Sequence, residues 1–380
     1  MHLKRISMAH DIHKQGVYFV LDQCFDRILL GGTMGFRRGL LFVFIGLHCI
    51  LLANAASIES SITIGKVVYR PPSGEIKYSY FYYFPESALT KQPLRILFYI
   101  PSVACSTVWG SEKPTVAVPT NVAYQRIEDY VRNWEIPRLK RLVEIHGYVL
   151  LIVVVPRNCG PDPDFKMNTP SMVRWVMFPN SFDKPEYEFY KRPDLEFVKI
   201  IDNFITLLKN DGYKPYDKVF MLGFSAGGSA AHRFSVLHPT KVAAVAIGAA
   251  QVYLYPVSYW EGIPLPYPVG TYDVDRIPGT AYSLDEFKRI PHFVFIGEQD
   301  VAPEKDPVNF EDICTRTEAY LVNFYFGKNP VERTIKFVDY LQSIGMKVTL
   351  KIYSGVGHQF TFQMLRDVFI FFDSVLVNDS

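Results

Sequence analysis

An excess of charge of either sign is missing from this chain. Its 380 residues hold 40 Lys and Arg against 38 Asp and Glu. Residues 1–56 carry six of the basic side chains and three of the acidic ones, so the remainder stands at 34 against 35. That balance gives no electrostatic reason to expect nucleic acid as a partner. Cysteine is scarce too, with five residues, at 24, 49, 105, 159 and 314. No two of them stand in a CxxC or Cys/His spacing, which argues against a zinc site, and no metal or cofactor is expected. The chain shows no internal repeat, so a repeat array is excluded, and no low-complexity tract. It also lacks an apolar run of the roughly 20 residues that a bilayer span requires. The nearest approach, Leu40 to Leu52, is short and broken by His48.

That run reads instead as the core of a secretory leader. Arg37 and Arg38 precede it and Ala53-Asn54-Ala55 follows it, a small-x-small cleavage pattern. Residues 1–56 are therefore expected to be a signal peptide with an upstream extension. Met34 would open a leader of ordinary proportions, and a retained signal anchor is the alternative. Export permits a disulfide among the three cysteines that remain.

What is abundant is apolar. Hydrophobic residues make up 49% and charged residues 21%, so the chain has enough to bury a large core in one large domain or two. Aromatics reach 15%, which suits a thick core and an apolar cleft.

Beyond residue 57, short apolar β runs alternate with helical patterns, which predicts an α/β domain with a mostly parallel sheet flanked by helices. Strands are predicted at 62–70, 76–84, 95–100, 148–155, 218–222, 242–249, 292–296 and 347–353. Helices are predicted at 124–142, 194–208, 309–326, 331–343 and 362–377. In 194–208, Phe197, Ile201, Phe204, Ile205 and Leu208 share one face, Asp194 is expected to cap the start, and Gly212 follows the end. Two stretches, about 156–193 and 250–290, are long for loops and rich in Pro, Tyr and Trp. Both follow strand C-termini, where open α/β sheets place their sites, and both are expected to act as cap insertions over a cleft.

The strongest motif is Gly223-Phe224-Ser225-Ala226-Gly227. A strand leads in and a helix of small residues leads out, the context in which G-x-S-x-G exposes a nucleophilic Ser on a sharp turn. Side chains two positions either side of the Ser would collide across that turn, hence glycine at both. The backbone N–H of Ala226, at the helix start, is placed to stabilise developing negative charge.

A serine hydroxyl needs a base. Five histidines lie beyond the leader: 146, 232, 238, 292 and 358. His358, in Gly355-Val356-Gly357-His358, follows the last strand and opens at the same sheet edge as Ser225. His232 and His238 lie in or at the end of the helix after Ser225, and His292 begins its strand at the wrong end. The base in turn needs an orienting carboxylate. Asp300, in Gly297-Glu298-Gln299-Asp300, follows a strand directly, with Glu298 and Asp306 as rivals. The chain order is then Ser, Asp, His, at intervals of 75 and 58 residues.

Together with the His238-Pro239 helix end, these runs resemble the α/β-hydrolase superfamily over residues 95–373. Within it they resemble, more loosely, secreted esterases of the polyhydroxyalkanoate-depolymerase and feruloyl-esterase kind. The resemblance implies an acyl-enzyme mechanism in which Ser225 attacks, His358 shuttles the proton and Asp300 holds the imidazole tautomer. It implies a small-molecule or polymeric ester as substrate, with no stable membrane span once the leader is removed. One departure stands out. Such enzymes often carry His-Gly after the third strand, whereas here Pro101-Ser102-Val103-Ala104-Cys105 follows, and Pro101 has no N–H to give. Val103 is the best placed first donor of the oxyanion hole, beside Ala226. In this topology Cys105 and Cys159 follow neighbouring strands, which makes them a possible disulfide, or two separate thiols. The alternatives to an esterase are a serine peptidase with the same triad and a non-catalytic binding protein on a hydrolase scaffold.

Overall fold

Eight strands form one sheet with apolar layers on both faces. The computed structural model describes residues 62–103, 120–156, 172, 177, 185–301 and 316–377. The leader with Met34, Cys105, Cys159, Cys314, Asp306 and most of 156–193 lie outside the described residues.

The strands are β1 (Val67–Arg70), β2 (Tyr80–Tyr83), β3 (Arg95–Ile100), β4 (Tyr148–Val153), β5 (Val219–Phe224), β6 (Val242–Gly248), β7 (Tyr259–Trp260), β8 (Ile263–Pro264), β9 (His292–Gly297) and β10 (Val348–Tyr353). Those of the main sheet run in the order β1-β2-β4-β3-β5-β6-β9-β10, while β7 and β8 form a separate small hairpin. The pairs β1·β2 and β2·β4 are antiparallel, and every other neighbour in the main sheet is parallel. The first two strands are shorter than the sequence predicts. Ile64 still makes an isolated bridge to Phe84, but the full ladder begins at Val67.

The helices are α1 (Thr120–Tyr130), α2 (Ile136–His146), α3 (Pro193–Asn210), α4 (Ala226–Leu237), α5 (Leu284–Lys288), α6 (Arg316–Leu321), α7 (Pro330–Ser343) and α8 (Phe362–Val377). The predicted helix 124–142 extends to both sides as α1 and α2, joined by a π-turn at Val131–Glu135. Pro137 lies just beyond that turn, in the first turn of α2, where its missing N–H is tolerated.

The continuous apolar runs of β3, β4 and β5 are buried at every position because layers cover both faces. One layer joins Phe98, Met221 and Ile247 to Ile201 and Phe204 of α3, Phe234 of α4 and Phe337 of α7. The other joins Leu97, Phe220 and Phe295 to Leu139 of α2 and Phe369 of α8. Each such side chain, fully buried, contributes about 1.5–3 kcal/mol. Residues 250–290 pack into the first layer through Tyr253, Tyr255, Leu265 and Tyr267. They also bond to the outer end of α4, where Ala281 N donates to Leu237 O.

Asp194 does not cap α3. The cap residue is Arg192, with no side-chain capping bond, and Asp194 is buried inside the first turn. Its carboxylate accepts from Arg192 Nε at 2.9 Å and Nη2 at 2.7 Å, and lies 2.8 Å from His238 Nε2. A fully buried carboxylate needs such partners more than the helix end needs a cap.

Candidate active site

β5 is central in the sheet, between β3 and β6, and the chain turns sharply where it ends. Ser225 has φ 55° and ψ −124°, a conformation non-glycine residues seldom adopt. Strain of this kind, about 1–3 kcal/mol, persists only where the surroundings over-determine it. Here they do. Ser225 N donates to Gly248 O at the end of β6, and its carbonyl accepts from Ser229 N in the first turn of α4. The glycines flanking Ser225 are required by contact. A Cβ on Gly223 would lie 2.0 Å from Gly227 O, and one on Gly227 would lie 2.1 Å from Ile100 O. The second contact also brings the turn against the end of β3, from which Pro101, Ser102 and Val103 lead away. Val103 is buried there.

His358 arrives from the loop after β10. Its Nε2 lies 2.9 Å from Ser225 Oγ and its Nδ1 lies 2.8 Å from Asp300 Oδ2. Asp300 comes from the loop after β9, three residues beyond the strand end, where its N–H donates to Gly297 O. Its carboxylate is buried, whereas the imidazole is 42% exposed. A buried acceptor on Nδ1 places the proton there, leaving Nε2 free to accept from the hydroxyl. The structure therefore brings Ser225, Asp300 and His358 into one hydrogen-bonded row at the positive end of a helix.

A strand order in which only the second strand is antiparallel to the rest, with a strained Ser turn between the fifth strand and its helix, decides the architecture. This is the α/β-hydrolase fold. No family model matches the chain, and no curated protein matches it in sequence. Among solved structures it is similar to poly(aspartic acid) hydrolase-1 from Sphingomonas sp. KT-1, with 18% identity over 77% of this chain and 92% of that one, at a TM-score of 0.47. It is similar to a poly(3-hydroxybutyrate) depolymerase from Bordetella parapertussis, with 15% identity over 81% of this chain and 89% of that one, at 0.46. It is also similar to an S-formylglutathione hydrolase from Agrobacterium tumefaciens, with 14% identity over 84% and 97%, at 0.43.

The other histidines of this hydrolase fold are engaged elsewhere. His146 Nδ1 lies 2.6 Å from Asp373 Oδ2, at the C-terminal end of α2, and His238 is bound to Asp194. Among the described residues, three histidines pair with aspartates, and of these only His358 also meets a serine hydroxyl. His232 Nε2 bonds to Leu254 O, and His292 Nδ1 to Ile290 O. Burial pushes His232 down to about 3 and His292 down to about 4, so both are neutral. The rival carboxylate Glu298 faces Ser354 and Gly355 instead of the imidazole.

Three further residues, Phe224, Phe360 and Arg138, pack around the His358 loop, and nothing local in the sequence announces these contacts. The Phe224 ring packs at 5.2 Å from the imidazole on one side and stacks on Phe360 at 4.9 Å, within 3° of parallel, on another. Arg138 of α2 lies over the Phe360 ring at 4.3 Å, donates to Phe360 O, and forms an ion pair with Glu135 at 3.8 Å. The guanidinium thus closes the chain just beyond His358 against α2. Among the described residues no cluster of three or more His, Cys, Asp or Glu is arranged to hold a metal ion, and no helix is long and apolar enough to cross a membrane.

Proposed function

We propose that this chain is a serine hydrolase that cleaves carboxylic esters through an acyl-enzyme intermediate. The observation that carries the proposal is the row Ser225 Oγ, His358 Nε2 and His358 Nδ1, Asp300 Oδ2, at 2.9 and 2.8 Å, mounted on a strained turn at a helix N-terminus. In this mechanism His358 takes the hydroxyl proton as Ser225 Oγ attacks the ester carbonyl, and the imidazolium is stabilised by Asp300. The tetrahedral oxyanion is held by the backbone N–H groups of Ala226 and Val103. The alcohol leaves with the proton from His358, and water then repeats the sequence in reverse to release the acid. The choice of ester over peptide rests on the likeness of the motifs around Ser225, Asp300 and His358 to those of secreted esterases. We also propose that the enzyme acts outside the cytoplasm as one domain after removal of residues 1–56, on the strength of Arg37, Arg38, the apolar run and Ala53-Asn54-Ala55.

The experiment is turnover of p-nitrophenyl esters of graded acyl length by the mature chain, beside a p-nitroanilide of matched acyl group. The proposal expects ester turnover to exceed that of the anilide throughout. Anilide cleavage at a comparable rate would make the chain a peptidase. Turnover of neither, with no serine phosphonate adduct, would make it a binding protein.

A further inference from the structure

The loop that delivers His358 and the loop that delivers Asp300 are joined along their length. β9 and β10 pair in parallel up to Gly297 and Tyr353. The pairing continues past the strands: Glu298 N donates to Tyr353 O at 2.9 Å and Gln299 N donates to Val356 O at 2.8 Å. At Gly297 the backbones touch so closely that a Cβ would lie 2.2 Å from Val356 O. One side chain adds to this seam. Glu298 Oε2 accepts from Ser354 Oγ at 2.7 Å and from Gly355 N at 3.0 Å. Gly355 carries φ 71°, so the chain reverses there, three residues before His358. The Ser354 hydroxyl, and then the Gly355 amide, hold the Glu298 carboxyl below its ordinary range.

The imidazole is held through its backbone from two sides, by Arg138 on Phe360 after it and by this seam before it. It is 42% exposed, Asp300 fixes only its Nδ1, and Phe224 packs against its ring. The remaining freedom is that of the loop backbone. We propose that Glu298 is a positioning residue, which pins the turn at Ser354 and Gly355 so that His358 Nε2 stays within reach of Ser225 Oγ. The proposal rests on the Ser225–His358–Asp300 triad proposed above. Glu298 touches neither the nucleophile nor the base. It acts through backbone placement, to which rates are sensitive, since a shift of about 1 Å can lower turnover about 100-fold.

The test compares Glu298→Ala, Glu298→Gln and Ser354→Ala in the full mature chain on a p-nitrophenyl ester, with Ser225→Ala alongside. Glu298→Ala is expected to lower kcat about 10- to 100-fold with KM changed less than about twofold. Glu298→Gln keeps an oxygen that accepts from both donors, and is expected to recover kcat to within about threefold of wild type. Ser354→Ala removes one donor at the surface, and gives the same kcat-only signature in smaller degree even if Glu298→Ala folds poorly. Wild-type kcat in both Glu298→Ala and Ser354→Ala would overturn the proposal. So would a Glu298→Gln variant as slow as Glu298→Ala, which would mean that charge and not placement matters. Ser225→Ala separates the two levels. If it keeps its turnover the triad itself fails, whereas if it is inactive while Glu298→Ala is unimpaired, only the positioning role fails.

Discussion

Ser225 Oγ and His358 Nε2 are 2.9 Å apart although 133 residues separate them in the chain. Two parallel strands deliver this contact. β5 ends in the Ser turn, and β10 ends in the His loop at the same edge of the sheet. The chemistry proposed for the site depends on that approach and on the acid that orients it.

Replacing that acid tests the orientation. Asp300→Asn keeps the shape of the side chain but favours the wrong imidazole tautomer, and should lower kcat about 10⁴-fold with little change in thermal stability. Asp306→Asn should leave kcat within about twofold of wild type. Steady-state kinetics on one ester checks both variants, and the reverse ranking would move the acid to Asp306.

The Ser turn admits no side chain at its first glycine. Gly223→Ala would place a Cβ 2.0 Å from Gly227 O, between two backbones that cannot both yield. The variant should lose about 1–3 kcal/mol or more by urea unfolding, and its ester turnover with it. A stable, fully active Gly223→Ala enzyme would mean that the turn is not held as described.

Acid should destabilise the fold through two buried histidines outside the triad. Burial is the larger cause at both, and it lowers His232 to about 3 and His292 to about 4 from an ordinary 6.5. A folded value below the unfolded one means that the stability is present above pH 6.5 and is lost as the pH falls toward 4 and 3. At pH 5 each histidine should take away about 2 kcal/mol. The depressed carboxylates Asp194, Asp367 and Asp373 start from 3.8 and Glu298 from 4.5, so their loss of stability falls mainly below pH 5 and outside the interval from pH 7 to pH 5. Urea midpoints at pH 7 and pH 5 check the effect, and His292→Gln should flatten the slope between them. An unchanged slope in that variant would remove His292 from the explanation.

The pairing of β3 with β4 also has a consequence for cysteine. Cys105 and Cys159 follow these two adjacent, parallel strands. We predict that they are bridged if the chain is exported as proposed, a link that would pin the chain carrying Val103. Peptide mapping without reduction checks it. Free thiols at both positions, or Cys314 joined to either, would contradict it, and an N-terminus near Met1 would remove the argument for export.

Much of this architecture was legible in the sequence because covered parallel strands are continuous apolar runs. β3, β5 and β9 announce themselves in that way, and the motif residues follow each strand end directly. Relations set by long-range contact were not legible. Asp194 looks like a helix cap until His238, 44 residues away, is seen to claim it. Glu298 and Asp300 are both loop carboxylates past the same strand, and spacing alone does not say which one meets the imidazole. The turn at Asp300 N to Gly297 O points one inward, and the Ser354 hydroxyl engages the other. Arg138 and Phe360 meet across 222 residues, and nothing local in either segment marks the contact.

Everything proposed for the site depends on Ser225 being the nucleophile. The most direct test is reaction of the mature protein with an active-site serine phosphonate, followed by peptide mass mapping, with ester turnover measured in parallel on Ser225→Ala. One adduct is expected, on the peptide containing Gly223 to Gly227, with none in the variant and residual turnover there below about a thousandth of wild type. An adduct on another serine, or a Ser225→Ala enzyme that keeps more than that, would contradict the assignment of Ser225.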